Sequence, residues 1–502
     1  MNSNDERILA EREESLKERL SPECYSEGQV ILGRVNMTYE MGEKARGIAC
    51  GGIGAIHELV TRLKLPEAIN GAVKLLKVHK PYYESDHVLN VAYNVIAGGR
   101  VLQDIECRRQ DETFLDALKA LRIPDPTTAG DFARRFESEG PIVQLQEAIN
   151  DVREKVWNRQ PKSFRKLGIL DVDGTMGETD GECKRDIGLS YDKKWGYGVL
   201  LVSLANTGEP LYLANRSGNT PSHADAVRWM DLGIQRAKKT FRQVLLRGDT
   251  AFSSTEHLDR WDGEGVKFIF GYDACANLKA MAEALPEQAW RSLKRPARYT
   301  VKTSPRQKPE HLKEEIIRER GYKNIRLNSE QVAEFEYRPV ACKKVYRMLV
   351  IRKNLSVEKG DVRLFDEIRY FFYITNVRES TTEELIFTIN DRCNQENLIA
   401  QLGDGIGALR MPLGDLNSNW AYMVMVALAW TLKAWYALLM VDRKKKRQAL
   451  KMEFKGFEQR YLQIPCQILR TGRRVVYRIL TYTSYLETFL RTFERIKTLK
   501  FA

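Results

Sequence analysis

The sequence predicts an α/β core that is interrupted by an all-β insertion, with a helical region before it and a basic region after it. Two observations support this prediction. Up to about residue 160, apolar residues recur three and four positions apart, as they do on amphipathic helices. From Lys166 onward, short apolar runs end in acidic or turn residues, a pattern that is typical of buried strands. The predicted regions are 1–160 (helical), 161–284 (first part of the core), 285–380 (all-β insertion), 381–442 (second part of the core) and 443–502 (basic).

The N-terminal region is predicted to be helical throughout. Its clearest helix start is DPTTAGDFARRF (125–136), where Thr127 or Thr128 is the expected N-cap. The core then begins with three strands, of which the second and third are expected to be antiparallel, and continues with a helix, a strand, a short helix from about Ser253 and a further strand. The predicted strands are KLGILDVDGT (166–175), YGVLLVSLAN (197–206), EPLYLANRSGN (209–219), RQVLLRGDT (242–250) and VKFIFGYD (266–273). A helix capped by Ser222 is expected between the third and fourth strands, over 222–241.

The region 285–380 is rich in Tyr, Phe and Val and alternates apolar with polar residues, which predicts half-exposed antiparallel strands. These strands are PARYTVKT (296–303), AEFEYRPVAC (333–342), VYRMLVIRKN (345–354) and RYFFYITNV (369–377). A helix over 384–403 follows. The apolar stretch 421–441 has the length of a membrane-spanning helix, but it has Lys433 in its middle and no second such segment accompanies it. We therefore predict a buried core helix there.

The charge balance points to a polyanionic partner. The chain has 80 Lys and Arg against 67 Asp and Glu, a net charge of +13. Residues 443–502 carry sixteen Lys and Arg against four Asp and Glu, so nearly all of the excess lies there. Such a concentration indicates a contact surface for the phosphates of DNA. The eight cysteines have no metal or disulfide spacing and the first residues are charged, which predicts a reducing, cytoplasmic location.

Acidic residues end two strands of the predicted core sheet. Asp171 and Asp173 end the first strand, and Asp249 ends the fourth. Carboxylates that converge from separate rigid elements can hold two divalent ions for phosphoryl transfer. The alternative is that each Asp only begins a turn. Strand alternation places Asp171 and Asp173 on one face, so periodicity alone does not decide which of them binds metal.

These motifs resemble those of bacterial insertion-sequence transposases of the DDE type. The matching segments are DVDGT, the hairpin ending in NRSGN, LLRGDTAF, and DRCNQEN. The insertion-sequence family numbered 1380, within the hairpin-forming cut-and-paste group, is the most similar. The resemblance implies a ribonuclease-H-like core with Asp173, Asp249 and Glu396 as catalytic metal ligands, two Mg²⁺ ions (or Mn²⁺), and a dimer on paired DNA ends.

The resemblance also implies a phosphate contact by Arg392, four residues before Glu396, in a Y-x-x-R-x-x-x-E-x6-K signature. A helical i,i+4 salt bridge between Arg392 and Glu396 is the alternative. The chain departs from this signature at two positions. The Tyr position is Ile389 and the Lys position is Gly403.

Further candidate DNA contacts are a turn residue, a strand-end residue and a basic run: Asn219, Arg247, Lys444, Lys445 and Lys446. Asn219 and Arg247 are equally compatible with structural roles, and the basic run is compatible with a solvated helix end. Trp290 is a candidate for stacking on a base, with packing in the interior as the alternative.

The predicted function is that of a DNA transposase. It would cut an insertion sequence at its terminal inverted repeats and join the 3′-hydroxyl ends to target DNA. The predicted location is the bacterial cytoplasm at the nucleoid, with no membrane partner. Two alternatives remain: a ribonuclease-H-like nuclease without strand transfer, and a DNA-binding protein without catalysis.

Overall fold

The structure is a computed structural model, and it describes residues 3–21, 37, 46–79, 81–190, 192–295, 312–359, 362–470 and 474–499. The predicted strand 296–303 lies outside these residues. The helices are, in chain order: α1 Ser3–Arg19, α2 Ile53–Arg62, α3 Leu65–Ala72, α4 Glu84–Ile96, α5 Ile105–Arg109, α6 Glu112–Ala117, α7 Pro126–Arg134, α8 Glu139–Asn158, α9 Ala226–Lys238, α10 Thr255–Gly263, α11 Ala276–Glu283, α12 Leu312–Glu319, α13 Thr382–Asn390, α14 Asn394–Ala400, α15 Leu416–Leu438, α16 Arg443–Lys451, α17 Phe454–Phe457 and α18 Leu486–Thr498.

The strands are, in chain order: β1 Gly47–Ile48, β2 Leu167–Glu178, β3 Gly188–Leu189, β4 Trp195–Leu204, β5 Glu209–Ser217, β6 Gln243–Gly248, β7 Lys267–Tyr272, β8 Arg291–Ser292, β9 Lys323–Tyr337, β10 Tyr346–Lys359, β11 Val362–Thr375, β12 Cys466–Arg470 and β13 Val475–Ile479. Within its described residues, the N-terminal region is helical as predicted except for the short strand β1. The five predicted core strands are present as β2, β4, β5, β6 and β7, and α9 lies between β5 and β6. Strand β2 is longer than predicted, because it continues to Glu178, well beyond the two aspartates.

The chain forms two compact units. The first comprises Met1–Arg165, Gly174–Thr220 and Glu396–Ala502, and the second comprises Lys166–Asp173 and Pro221–Gln395. Strand β2 begins in the second unit and ends in the first.

The second unit is built on a mixed sheet. The first half of β2 pairs in parallel with β6, and β6 pairs in parallel with β7. Strand β7 then pairs antiparallel with β11, which is followed by β10, β9 and β8. The predicted all-β insertion is corrected in two respects. It contains helix α12, and its strands continue the sheet of the core, because β11 has backbone partners on β7.

Helix α13 covers one part of this sheet. It begins with a capping box, in which Thr381 and Glu384 each bind the other's backbone N–H. Its buried residues Leu385, Ile386 and Ile389 belong to one cluster with side chains of the sheet and with Leu293, which follows β8: Leu245, Ile269, Leu293, Val332, Leu349 and Ile351. This packing fixes the chain that follows α13, where the predicted Arg392 and Glu396 lie.

The first unit is organised around α15, which packs against α4, α7, α8 and β5. The helix is long and apolar enough to cross a membrane, yet its most apolar stretch is entirely buried inside the protein, as predicted for a core helix. Lys433 is buried within it, where its ammonium donates to the Leu450 carbonyl at 3.3 Å and to the Met452 carbonyl, near the end of α16. Burial lowers the pKa of Lys433 to about 7.

Two predicted helix caps are wrong. Helix α7 is capped by Asp125, whose carboxylate accepts the Thr128 N–H at 2.9 Å, and neither Thr127 nor Thr128 is the cap. Pro126 takes the first helical position, where its missing N–H costs nothing, so the cap must lie one residue earlier. Helix α9 begins at Ala226, and its N-cap position is Asp225, three residues after the predicted cap Ser222.

Candidate active site

A buried ion pair joins the first two parallel strands of the second unit. Asp171 on β2 and Arg247 on β6 are backbone partners, and their side chains are only 1% and 3% exposed. The guanidinium donates from Nε to Oδ1 at 2.6 Å and from Nη2 to Oδ2 at 2.7 Å, the two-pronged geometry of a strong Asp–Arg pair. Burial raises the pKa of the Asp171 carboxyl, and the hydrogen bonds from Arg247 oppose that effect.

Arg247 also connects this strand pair to the helix above it, because its Nη1 donates to the Thr388 carbonyl in α13. Gln395 adds a second connection, since its side-chain amide donates to the Asp171 carbonyl oxygen at 3.1 Å. Gln395 is a residue that sequence reasoning did not single out, although it directly precedes the predicted Glu396. Arg247 was a candidate for a DNA contact or for a structural role in the site, and these contacts favour the structural role.

Asp173 is in a different environment from Asp171. It is half-buried, and its Oδ2 accepts a hydrogen bond from Nη1 of Arg392 at 2.9 Å. Arg392 lies in the 3₁₀ turn Asp391–Cys393, between α13 and α14, and both side chains of the pair are 16% exposed. The alternative of an Arg392–Glu396 salt bridge is therefore not what the structure shows. The partner of Arg392 is a carboxylate 219 positions earlier in the chain.

Asp249 lies beside this position on the neighbouring strand. The last backbone pair of the parallel strands is Asp171 with Arg247, and Asp173 and Asp249 each follow that pair by two residues. The two aspartates therefore follow the parallel pair at matching positions of adjacent strands, which are typically about 4.8 Å apart. Asp249 caps the 3₁₀ turn Thr250–Phe252, where its Oδ1 accepts the Ala251 N–H at 2.9 Å.

A glycine on the third parallel strand allows the turn after Asp249 to come close. A Cβ at Gly271 would lie 2.8 Å from the Thr250 nitrogen and 3.2 Å from the Asp249 carbonyl carbon. Any side chain at this position would therefore push the Asp249 turn away from β7. The glycine in FGY is the feature of the sequence that could have indicated this close approach.

Glu396 is placed in the first turn of α14, where it is exposed, and it belongs to the first unit. Within the described part of the chain, no three Asp, Glu, His or Cys side chains are arranged so that they could together hold a metal ion. Asp173 and Asp249 thus each lie two residues beyond the last pair of two parallel strands, and the metal-binding role of all three carboxylates stays a prediction.

The two departures from the expected signature have different structural settings. Ile389 is 5% exposed and belongs to the apolar cluster under α13, where a tyrosine hydroxyl would be buried among hydrocarbon side chains. Gly403 lies in the π-helical turn Gln401–Gly405, where an added Cβ would meet only the Leu409 Cδ1, at 3.6 Å. The chain therefore has room for a side chain at 403.

The other predicted DNA contacts are spread over the first unit. Asn219 is exposed in the turn after β5, and Lys444 is exposed on α16. Lys445 and Lys446 are half-buried and donate to Thr488 Oγ1 at 2.6 Å and to Gln160 Oε1 at 3.0 Å. Burial and the nearby Arg495 and Arg443 lower the pKa of Lys446 to about 8. Whether any of these side chains contacts DNA stays a prediction.

Trp290 has the packing role that was the alternative to base stacking. Its side chain is 7% exposed, and the Arg352 guanidinium lies 4.2 Å from the centre of its ring. Arg352 in turn forms a salt bridge with Glu287 at 2.8 Å. The indole is thus covered by the protein itself.

Comparisons with known proteins identify the family of this chain. The sequence model of the family described as "Transposase DDE domain group 1" matches residues 48–501, which is most of the chain. One similar solved structure is a "piggyBac transposase synaptic complex with hairpin DNA", with 11% identity, 82% of each chain covered and a TM-score of 0.33. No curated protein matches the sequence. By the extent of the family match, this chain belongs to the DDE transposases, enzymes that cleave and transfer DNA strands.

Proposed function

We propose that this transposase moves a bacterial insertion sequence by a cut-and-paste route. It would nick one strand at each terminal inverted repeat with water, and the freed 3′-hydroxyl would attack the opposite strand to form a hairpin and release the flanking DNA. A second water would open the hairpin, and the restored 3′-hydroxyl would attack a phosphodiester of the target DNA. The observation that supports this proposal best is the position of Asp173 and Asp249, two residues beyond the last backbone pair of two adjacent parallel strands. Two carboxylates delivered side by side by a rigid sheet are what a phosphoryl-transfer site requires.

The residues fit a divalent metal by their chemistry. Asp173, Asp249 and Glu396 offer only carboxylate oxygens, which Mg²⁺ prefers, and Mn²⁺ accepts the same ligands. We propose that these three residues hold two ions. When bound, such ions lower the pKa of the attacking water and neutralise charge on the phosphate.

The remaining residues of the site have positioning roles in this proposal. The Asp171–Arg247 pair and the Gln395 amide hold β2, β6 and the chain after α13 in fixed register. Arg392 uses one N–H on Asp173, and a guanidinium has five. We infer that its other N–H groups bind a phosphate oxygen of the scissile strand, which would place the DNA backbone beside Asp173.

The expected partners follow from the reaction. Double-stranded DNA, both as terminal repeats and as target, is the substrate, and synapsis of two ends requires two active sites. We propose a homodimer on paired ends, located in the bacterial cytoplasm at the nucleoid, with no membrane partner.

The proposal is tested with the full chain, Mg²⁺ or Mn²⁺, and a 5′-labelled duplex that carries the inverted repeat flanking the gene. On a denaturing gel we expect nicks, then hairpins that migrate at about twice the strand length, and joined products when a target plasmid is added. Asp249→Ala and Asp173→Asn should abolish all three products. Asp273→Asn, an exposed carboxylate at the end of the next parallel strand, is the matched control and should retain activity.

Three results would contradict the proposal. Cleavage that survives Asp249→Ala would overturn the active-site assignment. Cleavage without joined products would favour the nuclease, and tight binding without cleavage by the wild-type protein would favour the non-catalytic DNA-binding protein.

A further inference from the structure

The N-terminal helical region contains a cavity that the cleavage reaction does not use. Its volume is about 430 Å³, within the range of small-ligand sites, and it lies against α2, α4 and α6. Its lining includes one carboxylate, Asp86, and several aliphatic side chains. It also includes four aromatic rings and two basic side chains: His57, Tyr82, Tyr93, Phe114, Lys119 and Arg122. All of these residues belong to the first unit.

The cavity lining includes two aromatic side chains, His57 and Tyr93, that carry no charge. His57 Nδ1 and the Tyr93 hydroxyl share a hydrogen bond of 3.0 Å. Burial lowers the pKa of His57 and raises the pKa of Tyr93, so both side chains are uncharged at neutral pH. The side-chain amide of Asn90, also in the lining, donates to the Pro124 carbonyl at 2.9 Å. Aromatic faces with a few hydrogen-bonding groups suit a planar heterocycle.

The edge of the cavity is basic. Lys119 and Arg122 are both exposed, and the Arg122 guanidinium lies 5.9 Å from the centre of the Tyr82 ring. The acidic neighbours are engaged in helix caps, since Asp86 accepts the Tyr83 N–H at 2.8 Å and Asp125 accepts the Thr128 N–H at 2.9 Å. Two cations at the edge of an aromatic cavity are complementary to a ligand that joins a ring to a phosphate.

Lys119 occupies a position that usually belongs to glycine. Helix α6 ends in bonds from the Ala120 N–H to the Leu115 carbonyl and from the Lys119 N–H to the Asp116 carbonyl. This ending requires a residue with a left-handed backbone conformation, and Lys119 has that conformation, with a φ of 56°. A lysine there is strained where a glycine is not.

We propose that this cavity binds an unpaired base of the transposon-end DNA. The base would stack on the Tyr82 ring, and its phosphate would bind Lys119 and Arg122. Taking a base out of the helix favours DNA that is already distorted or unpaired, as it is at a hairpin or a nick. The inference rests on the proposed action on DNA ends and adds a site that senses the state of those ends.

The test uses the full-length protein and two terminal-repeat duplexes, one fully paired and one with a 2-aminopurine opposite an abasic site near the cleavage position. We expect the protein to bind the second duplex roughly 5- to 100-fold more tightly, the range that one stacked base provides, and to quench its fluorescence. Tyr82→Ala should abolish the preference and Arg122→Ala should reduce it.

Matched controls are Tyr83→Ala, the adjacent tyrosine, which stacks on His79 and does not line the cavity, and Arg109→Ala, an exposed arginine of the same region. Both should keep the preference. Thermal melting confirms that each variant is folded. A preference that survives in folded Tyr82→Ala, or no preference in a wild-type protein that still cleaves the paired end, would overturn the base site. Absence of both binding and cleavage would overturn the proposed function itself.

Discussion

Asp171 and Asp173 are two residues apart on one strand, yet their surroundings give them different roles. Asp171 is 1% exposed and is held by two hydrogen bonds from Arg247, so its oxygens are committed inside the protein. Asp173 is half-buried and paired with Arg392 through a contact to Oδ2. Burial, which strand periodicity does not reveal, therefore favours Asp173 as the metal ligand and Asp171 as the residue that positions it.

This difference predicts that two matched substitutions affect different properties, one mainly the stability of the protein and the other mainly DNA cleavage. Asp171→Asn leaves the Arg247 charge buried without its counterion and should lower the free energy of unfolding by about 3–5 kcal/mol. Asp173→Asn should cost roughly 1 kcal/mol or less, since its ion pair is partly solvated, but it should abolish cleavage. Urea unfolding and the end-cleavage assay, run on both variants, measure the two effects.

The double variant Asp171→Leu with Arg247→Met is the control for the buried pair. Removing both charges should recover most of the lost stability, because no unpaired charge then remains. A folded Asp171→Asn protein that is stable but inactive would contradict the assignment and would make Asp171 the ligand.

The expected signature positions, Arg392, Glu396 and Gly403, lie on one segment, which runs from α13 through the turn at 391–393 and α14 to the π-helical turn at 401–405. The segment was predicted as one helix, and the structure divides it into pieces of different helical type. The first break places Arg392 toward Asp173 rather than toward Glu396. A π-helical turn of this kind often occurs near functional sites, because it redirects the side chains that follow it.

Gly403 in that turn provides a gain-of-charge prediction. Because an added Cβ would meet only Leu409 Cδ1 at 3.6 Å, Gly403→Lys should fold with an unchanged melting temperature. If position 403 faces the DNA, as the family signature implies, the new lysine should tighten binding to the transposon end. The slope of log affinity against log salt should become steeper by about 0.9, the value for one added phosphate contact.

Gly405→Lys is the matched control for this substitution. Its Cβ would lie 2.7 Å from Gln401 Oε1, and that oxygen already accepts the Phe454 N–H at 2.8 Å. This variant should be destabilised, which shows that the assay detects crowding in the same turn. An unchanged salt slope in a folded Gly403→Lys protein would mean that position 403 does not approach DNA.

Nearly all of the excess positive charge of the molecule lies in residues 443–502. The basic run falls on α16, whose first turn carries Arg443 and Lys444 after an Asp442 N-cap. Cations are unfavourable at a helix N-terminus, because the helix dipole is positive there. The same arrangement strongly attracts an anion, so a DNA phosphate is the partner that best explains it.

We therefore predict that Arg443, Lys444 and Arg447, the exposed cations of the first five residues of α16, bind DNA phosphates. Replacing all three with Ala should weaken binding uniformly across DNA sequences and reduce the salt slope by up to about 2.7, near 0.9 for each phosphate that is no longer neutralised. Fluorescence anisotropy at several salt concentrations measures this slope.

A second triple variant, Lys238→Ala, Lys239→Ala and Arg242→Ala, removes the same charge from another exposed surface. It should change the slope much less. An equal change of slope in both triple variants would show that only the net charge of +13 matters, and not its concentration at the C-terminal region.

The enzyme class and most of the elements were predictable from the sequence alone. The acidic residues in DVDGT and RGDT, at strands separated by a hairpin and a helix, are two candidate carboxylates whose metal-binding role stays a prediction. The family match confirms the enzyme class that the resemblance of these motifs implied. Apolar periodicity likewise located β6, β7 and the buried helix α15. These features depend on short-range geometry, in which the repeat of a strand or helix is recorded in neighbouring residues.

The partner of each charged side chain, in contrast, depends on contacts between segments that are distant in the sequence. Arg247 lies two residues before Asp249, but its carboxylate partner is Asp171, and the partner of Arg392 is Asp173. Ile389 is part of the core for the same kind of reason, since its neighbours come from strands far away in the chain. Such choices are set by the packing of distant segments and by the burial that it creates, and no local pattern in the sequence records them.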